Sequence, residues 1–551
     1  MKKRMISLFF LAAISVSGAT VSQEWAMRYN GPGSGTDNST AMIVDPAGNV
    51  YVTGSSMSGG AGTEDFATLK YNAAGALQWE RRYNGIGGGA DVANAIALDA
   101  SGAIYVTGSS AGTGLNMDYL TIKYSPAGDT LWTRRYNGPR GGKDAAYSIT
   151  VDDSAYIYVT GESEGATGTH GIFEDYATIK YDSAGTVKWV ARYNGPAGDY
   201  DKAGAVAVDT AGNVYVTGTS DGGSSGSGSP HFDYATIKYD KAGVQKWVRR
   251  YNGPGNGPDE ARTVKVDASG NVCITGDSYA TGTSADYATI KYRANGDTVF
   301  ISRFDGAGSN TDQANALALD KLGNAYVTGK SYGGAVPNYD FLTIKYDSLG
   351  DTLWTRVYNG PGTDIDGGAA IALDRSGNVY VTGPSSASAT SLDYATIRYS
   401  PVGAEEWVIR YTNSDAAGSS DEPNGIFVDT LNNVYVCGMS ALDYATVKYS
   451  QLETGGEQAL MNPLPGFALL QSFPNPLNAA TTIRFSLTRP EQATLKIITV
   501  SGNEVVTLLS KQVSAGVHQM EWNSRDLPCG IYICRLQAGS SLITKRLVLL
   551  R

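Results

Sequence analysis

Four short runs within residues 93–136 decide the fold. They are Ala93-Asn94-Ala95-Ile96-Ala97-Leu98-Asp99, Ile104-Tyr105-Val106-Thr107-Gly108, Asp118-Tyr119-Leu120-Thr121-Ile122-Lys123-Tyr124 and Leu131-Trp132-Thr133-Arg134-Arg135-Tyr136. Each is too short for a helix and rich in β-branched or aromatic residues, or alternates small with large at period two. We name them strands A, B, C and D. Ala93, Ala95 and Ala97 share one face of strand A, and Ile96 and Leu98 share the other. The A–B link is a tight turn such as Asp209-Thr210-Ala211-Gly212-Asn213, and the C–D links carry Gly185 or Gly350 at the same place. Gly and Asn accept positive φ there, and Asp bonds the turn backbone.

Working outward, the unit repeats. Tyr-Val-Thr-Gly or a close variant ends at Gly54, Gly108, Gly161, Gly218, Gly276, Gly329, Gly383 and Gly438, at spacings of 53 to 58 residues. Strand C follows each time, starting at Asp65, Asp118, Asp175, Asp233, Asp286, Asp340, Asp393 and Asp443. Radial repetition of four-stranded units makes a β-propeller, and small residues on strand A suit the crowded axis. The eighth A–B–C set, ending at Tyr449, has no D strand after it, whereas Trp25-Ala26-Met27-Arg28-Tyr29 is a D strand with no unit before it. The expectation is an all-β chain: an eight-bladed propeller over 20–449 closed by its N-terminal strand, so that no sheet edge stays free.

Gly-Asn-Val-Tyr-Val-Thr-Gly and Asp-Tyr-Ala-Thr-Ile-Lys-Tyr resemble the bacterial β-propeller repeat known as SBBP, over residues 25–449. The family name implies seven blades, and eight sets depart from it. The resemblance brings no catalytic residues with it. Residues 450–466 read as a linker, with Pro463 and Pro465 and no repeat. Beyond it, Thr481–Leu487, Ala493–Val500, Glu504–Val513, Val517–Asn523, Gly530–Gln537 and Leu542–Leu550 read as strands of a small Ig-like β-sandwich over 467–551. The opening Phe467-Ala468-Leu469-Leu470-Gln471-Ser472-Phe473-Pro474-Asn475-Pro476, Gly530-Ile531-Tyr532 and the final Lys545-Arg546-Leu547-Val548-Leu549-Leu550-Arg551 closely resemble the type A C-terminal sorting domain of the type IX secretion system. Leu477 departs from the aromatic common after that Pro. The resemblance implies the type IX machinery as partner and the outer cell surface or the medium as destination.

Residues 1–19 read as a signal peptide. Lys2, Lys3 and Arg4 precede a 12-residue apolar run, Met5–Val16, and Ser17-Gly18-Ala19 supplies the small residues of a cleavage site. The run is too short to span a bilayer as a helix, and no other approaches that length, so no transmembrane segment is expected. The 551 residues carry a net charge of −10, which excludes a basic nucleic-acid-binding surface as the default. Three His and four Cys leave little material for metal or thiol chemistry, and we expect no cofactor, no metal site and no catalytic residue. Gly-x-Ser-x-Gly at Gly108–Gly112 and three later places follows from Thr-Gly-x-Ser entering a Gly-rich loop, not from a nucleophile elbow. The Gly185 to Trp189 spacing is shared with quinoprotein dehydrogenases, but the adjacent Cys pair of those enzymes is absent.

Three sets of Asp recur: in the A–B turns, at the start of strand C, and in the D–A loops at Asp37, Asp91, Asp144, Asp201, Asp259, Asp312, Asp366 and Asp421. They offer oxygen ligands for a hard cation, yet a residue present in every unit reads first as satisfying backbone donors in every unit. The B–C loops vary most, and variable loops on a rigid scaffold carry recognition. The two longest, after Gly161 and Gly218, are neighbours and hold His170, Phe173, Glu174, His231 and Phe232. These five are the candidate ligand-binding residues. The expected function is a surface-displayed binding or adhesion scaffold for an extracellular glycan or protein. The alternative is an extracellular enzyme acting on polysaccharide with its site on the B–C loop face.

Overall fold

The computed structural model describes residues 20–452 and 468–549, less 34, 60–62, 115, 168–171, 224–230, 283, 307–309, 334–338, 363–364, 389–390, 414–418, 470–479, 488, 500–502, 515, 525–526 and 540. The segment read as a signal peptide and most of the linker lie outside the described residues. Every regular element described is a β-strand. The chain divides into two compact units, one spanning Gly18–Glu453 and the other holding Thr454–Arg551.

The larger unit consists of eight four-stranded antiparallel sheets. Sheets 1 to 7, numbered in chain order from the strand Asp37–Val44 to the strand Glu405–Tyr411, each use four consecutive strands. In sheet 3 these are Asp144–Val151, Ile157–Thr167, Ile172–Tyr181 and Val187–Tyr193; in sheet 4 they are Asp201–Val208, Val214–Asp221, Phe232–Tyr239 and Gln245–Tyr251. Sheet 8 takes Asp421–Val428, Val434–Ser440 and Asp443–Leu452, and its fourth strand is Thr20–Tyr29 from the N-terminus. That strand runs antiparallel to strand C, with Tyr29 opposite Tyr444 and Thr20 opposite Leu452. Strand B runs past the repeated Gly in every sheet. The Gly only relieves crowding, because a Cβ at Gly161 would meet the Ala145 carbonyl oxygen at 1.9 Å. In sheet 3 the B–C insertion extends both strands, and Thr167 pairs with Ile172.

Cores form between sheets. Tyr105, Tyr119 and Trp132 of sheet 2 pack on Ala146, Ile149, Val159 and Ile179 of sheet 3. Trp25, Tyr435 and Tyr444 of sheet 8 pack in the same way on Val50, Val52 and Leu69 of sheet 1. Small strand-A residues bring the aromatic side chains of the preceding sheet close. Each buried aromatic removes roughly 150–250 Å² from water, an upper bound of about 4–6 kcal/mol at about 25 cal/mol/Å². The strand-D Trp also caps the next sheet. Trp79 Nε1 donates to Pro126 O at 3.3 Å, and its ring lies where a Cβ on Gly128 would sit, at 2.9 Å. Gly128 has φ +92°, so that turn needs Gly on both counts. Trp25 repeats this on sheet 1, donating to Ala73 O at 3.2 Å.

The smaller unit has two sheets around one core. Ala468–Leu469, Ala480–Leu487 and Gly516–Asn523 form one; Glu504–Val513, Glu491–Thr499, Gly530–Ala538 and Ser541–Leu549 form the other. Ile483, Phe485, Leu495, Ile497, Trp522, Tyr532 and Leu547 fill the space between them. All four cysteines are free; Cys273, Cys437 and Cys534 are buried, and burial pushes the Cys273 thiol up to about 12.

Candidate functional site

The recurring Asp residues are occupied in holding the backbone. Asp209 is typical of the A–B turns: Oδ1 accepts from the N–H groups of Ala211 and Asn213, and Oδ2 from Asn213 Nδ2 and Tyr215 OH. Asp259 is typical of the D–A loops, accepting from the N–H groups of Gly253 and Tyr279. In every sheet but the sixth, the strand-C Asp meets a strand-D Arg, as Asp233 meets Arg250 at 2.8 Å. The repeated carboxylates thus serve each unit, as their recurrence implies.

The departures from the repeat cluster elsewhere. In seven sheets the A–B pairing contains a one-residue bulge, and the extra residues are Thr40, Asn94, Tyr147, Gly204, Arg262, Asn315 and Asn424. Four of these stitch their sheet to the next. Thr40 Oγ1 donates to Ala93 O, Asn94 Nδ2 to Ala146 O, Asn315 Nδ2 to Gly368 O and Asn424 Nδ2 to Ser39 O, at 2.7 to 2.9 Å. The bulge residues of sheets 3, 4 and 5 are Tyr147, Gly204 and Arg262, which turn to other partners or have no side chain.

A cavity of about 570 Å³ opens there, lined by Tyr147, Tyr200, Lys202, Gly204, Thr219, Phe232, Glu260, Ala261 and Arg262. Gly204 shapes it. A Cβ on Gly204 would meet nothing nearer than Ala261 O at 3.4 Å, and its φ is not positive. Neither packing nor backbone geometry requires glycine at 204, where the missing side chain leaves the cavity open.

Two buried acids anchor the walls, and both occupy the position after the repeated Gly. Fully buried Glu162 accepts from Tyr147 OH at 2.8 Å and Tyr200 OH at 3.1 Å, and pairs with Lys143 at 2.6 Å. Burial and the Glu162 charge push both phenols well above their ordinary range, so they remain protonated donors. Asp277 holds Arg262 bidentately, Nε to Oδ1 at 2.8 Å and Nη2 to Oδ2 at 2.9 Å, and this raises the guanidinium further. Arg262 Nη2 also donates to Glu260 at 3.2 Å. Lys202 Nζ stands 4.4 Å from the Tyr147 ring centre.

The residues expected from the sequence divide. Phe232 begins strand C of sheet 4, lines the cavity and packs on Tyr200 with ring centres 5.7 Å apart. His231 precedes it, with Nδ1 2.9 Å from Asn256 O, outside the lining. Phe173 and Glu174 follow Ile172, the first residue of strand C in sheet 3; the Glu174 charge reaches Tyr147 and Tyr200, but neither residue lines the cavity. His170 lies outside the described residues. Tyr147, Lys202, Gly204 and Arg262 were missed. Alignment of the eight A strands on the residue after Ala146, Ala203 and Ala261 was the signal that could have found them. A second cavity of about 370 Å³ lies among the A–B turns of sheets 3 and 4, where Asp152 and Asp209 are already engaged with their own turns.

Two family models match the sequence. One, described as a β-propeller repeat (SBBP), matches residues 24–60, 188–224, 306–334 and 406–441. The other, described as a secretion system C-terminal sorting domain, matches residues 471–550. The chain carries SBBP repeats and a type IX sorting tail. The tail points to export to the cell surface or beyond. Among curated proteins none matches the chain. Among solved structures it is similar to PorZ, a bacterial surface component of the type IX secretion system of Porphyromonas gingivalis, at 14% identity and TM-score 0.39, covering 93% of this chain and 69% of that one. It is also similar to the β-propeller domain of the Trilobed protease from Pyrococcus furiosus, at 7% identity and TM-score 0.36, covering 68% and 98%. Likeness at this level attaches neither protein's activity to this chain. Among the described residues no helix is long and apolar enough to cross a membrane.

Proposed function

We propose that the eight sheets are the blades of a propeller closed by the N-terminal strand, spanning residues 20–449. In this reading residues 1–19 are a cleaved signal peptide, 450–466 a linker and 467–551 an Ig-like sorting module. The exported propeller is a binding scaffold that seats its ligand in the cavity over sheets 3 to 5. One observation carries this: the bulge residues that bond the next sheet in sheets 1, 2, 6 and 8 give up that role in sheets 3 to 5, where the cavity opens, and Gly204 brings no side chain into it. A cavity of this size with aromatic walls and a few fixed polar groups suits a small ligand or a terminal group of a larger one. An array of extracellular glycans and matrix proteins, probed with the full chain and with Gly204→Leu, tests it. Capture by the parent and loss in the variant, at unchanged melting temperature, is the expected result. Equal capture by both would move the site off the cavity. Cleavage of the captured glycan would establish the enzyme reading instead.

A further inference from the structure

We infer that the cavity recognises a sugar carrying a single carboxylate, a hexuronate unit of an acidic glycan, with the carboxylate at Lys202. The inference rests on the reading of the cavity as the ligand site.

Charge balance comes first. Arg262 faces two carboxylates, the bidentate Asp277 and Glu260, and Glu162 is paired with Lys143, so both of these cations are already engaged. Lys202 has the Tyr147 ring face as its partner, and among the described residues no carboxylate pairs with it. A ring face attracts an ammonium but accepts no conventional hydrogen bond from its N–H groups. The cavity wall therefore presents a cation whose donors are free for an incoming anion.

The other polar groups say what surrounds that anion. Tyr147 and Tyr200 both spend their hydroxyl protons on Glu162, so towards the cavity their oxygens act as acceptors. Glu260 is a further acceptor, held at one oxygen by Arg262. A ligand made only of acceptors, such as a phosphate or sulfate, would face these oxygens unfavourably. A ligand with hydroxyl donors and one negative charge satisfies both sets. Phe232 and Tyr200, packed at 60°, and the Tyr147 ring supply apolar faces for the C–H face of a pyranose.

Calorimetry on the full chain with galacturonate, glucuronate and mannuronate trisaccharides, each beside its methyl ester, tests the inference. At least one acid is expected to bind about tenfold or more tightly than its ester, since a charge-assisted contact is lost on esterification. Lys202→Met keeps the side-chain stem and should bring the acid down to the affinity of the ester, which itself stays unchanged. Equal binding of acid and ester by the parent, an unaffected Lys202→Met, or no binding of any trisaccharide overturns the inference. The first two results leave the cavity reading standing if Gly204→Leu or Phe232→Ala still abolishes binding. Persistence of binding in both of those variants, each melting like the parent, overturns the cavity reading as well.

Discussion

Asp201 and Val357 show how much single residues contribute within a repeated frame. Burial pushes the Asp201 carboxyl up to about 7; hydrogen bonds from Ser220 and the Gly195 N–H oppose this, and the nearby Asp175 charge adds to it. A carboxyl whose folded value lies above its unfolded value near 4 binds its proton more tightly in the native state. Its stabilisation is complete below about pH 4 and is lost as the pH rises through about 7. Between pH 5 and pH 8 this amounts to on the order of 2–3 kcal/mol. Asp201→Asn keeps an acceptor for the Gly195 N–H and cannot ionise. Its melting temperature is expected to fall less than that of the parent between those pH values; parallel melting curves would refute the assignment.

Val357 stands where other sheets carry Arg. It pairs with Leu342 as Arg410 pairs with Ala395. Arg410 bonds Ser385 and Asp393, whereas in sheet 6 the buried Asp340 has no strand-D Arg to pair with among the described residues. The preceding strand D has changed with it. Phe304 occupies the place of Tyr251, whose hydroxyl accepts from Arg303 at 2.8 Å. Val357→Arg with Phe304→Tyr rebuilds the network and should stabilise by about 1–3 kcal/mol, the worth of hydrogen bonds to charged groups. Asp340→Asn should cost far less than Asp393→Asn. Thermal melts of the three variants at one pH decide both points.

At the scale of elements, the N-terminal strand is the part whose removal is most informative. Trp25 and Tyr29 are buried, Trp25 caps sheet 1, and Arg28 pairs with Asp443 at 2.7 Å. Deleting residues 20–30 exposes the edge of Asp443–Leu452 and removes two large aromatic side chains from the core between sheets 8 and 1. A loss of more than about 4 kcal/mol, with proteolysis starting in sheet 8, is expected; unchanged melting would contradict it. The strands were legible because the motif recurs eight times, so an orphan such as Trp25–Tyr29 stood out against a known template. The cavity was not legible because it depends on the bulges. Strict alternation along Ala93–Leu98 places Asn94 with Ile96 and Leu98, but the bulge removes Asn94 from the pairing and turns it to the next sheet. A one-residue slip of this kind leaves no mark in composition or periodicity. Loop length drew attention to His170 and His231, whereas the ligand-sized space sits beside the strand-A bulges.

For the whole molecule, the division into two units separates folding from delivery. The core of the C-terminal unit, from Ile483 to Leu549, is complete within its own seven strands. Deleting residues 467–551 should leave the melting of the larger unit unchanged while stopping its appearance outside a host that has type IX secretion. Normal surface display of the truncated chain, judged by protease shaving of whole cells, would overturn the role given to the tail.

The pairing of Thr20 with Leu452 joins positions 432 apart in the sequence. Loop-closure entropy grows only as about (3/2)RT ln n, so equilibrium penalises so long a connection little. Time is a different matter. Chain synthesis at roughly 5–20 residues per second separates the two strands by some tens of seconds. Throughout that interval the first strand has no partner, and the last partner does not yet exist. The same pairing that finishes the fold therefore acts as a clock. Until the eighth repeat is made, seven sheets can form from their own strands while Thr20–Tyr29 waits unpaired; only afterwards are the two ends of the unit joined in one sheet.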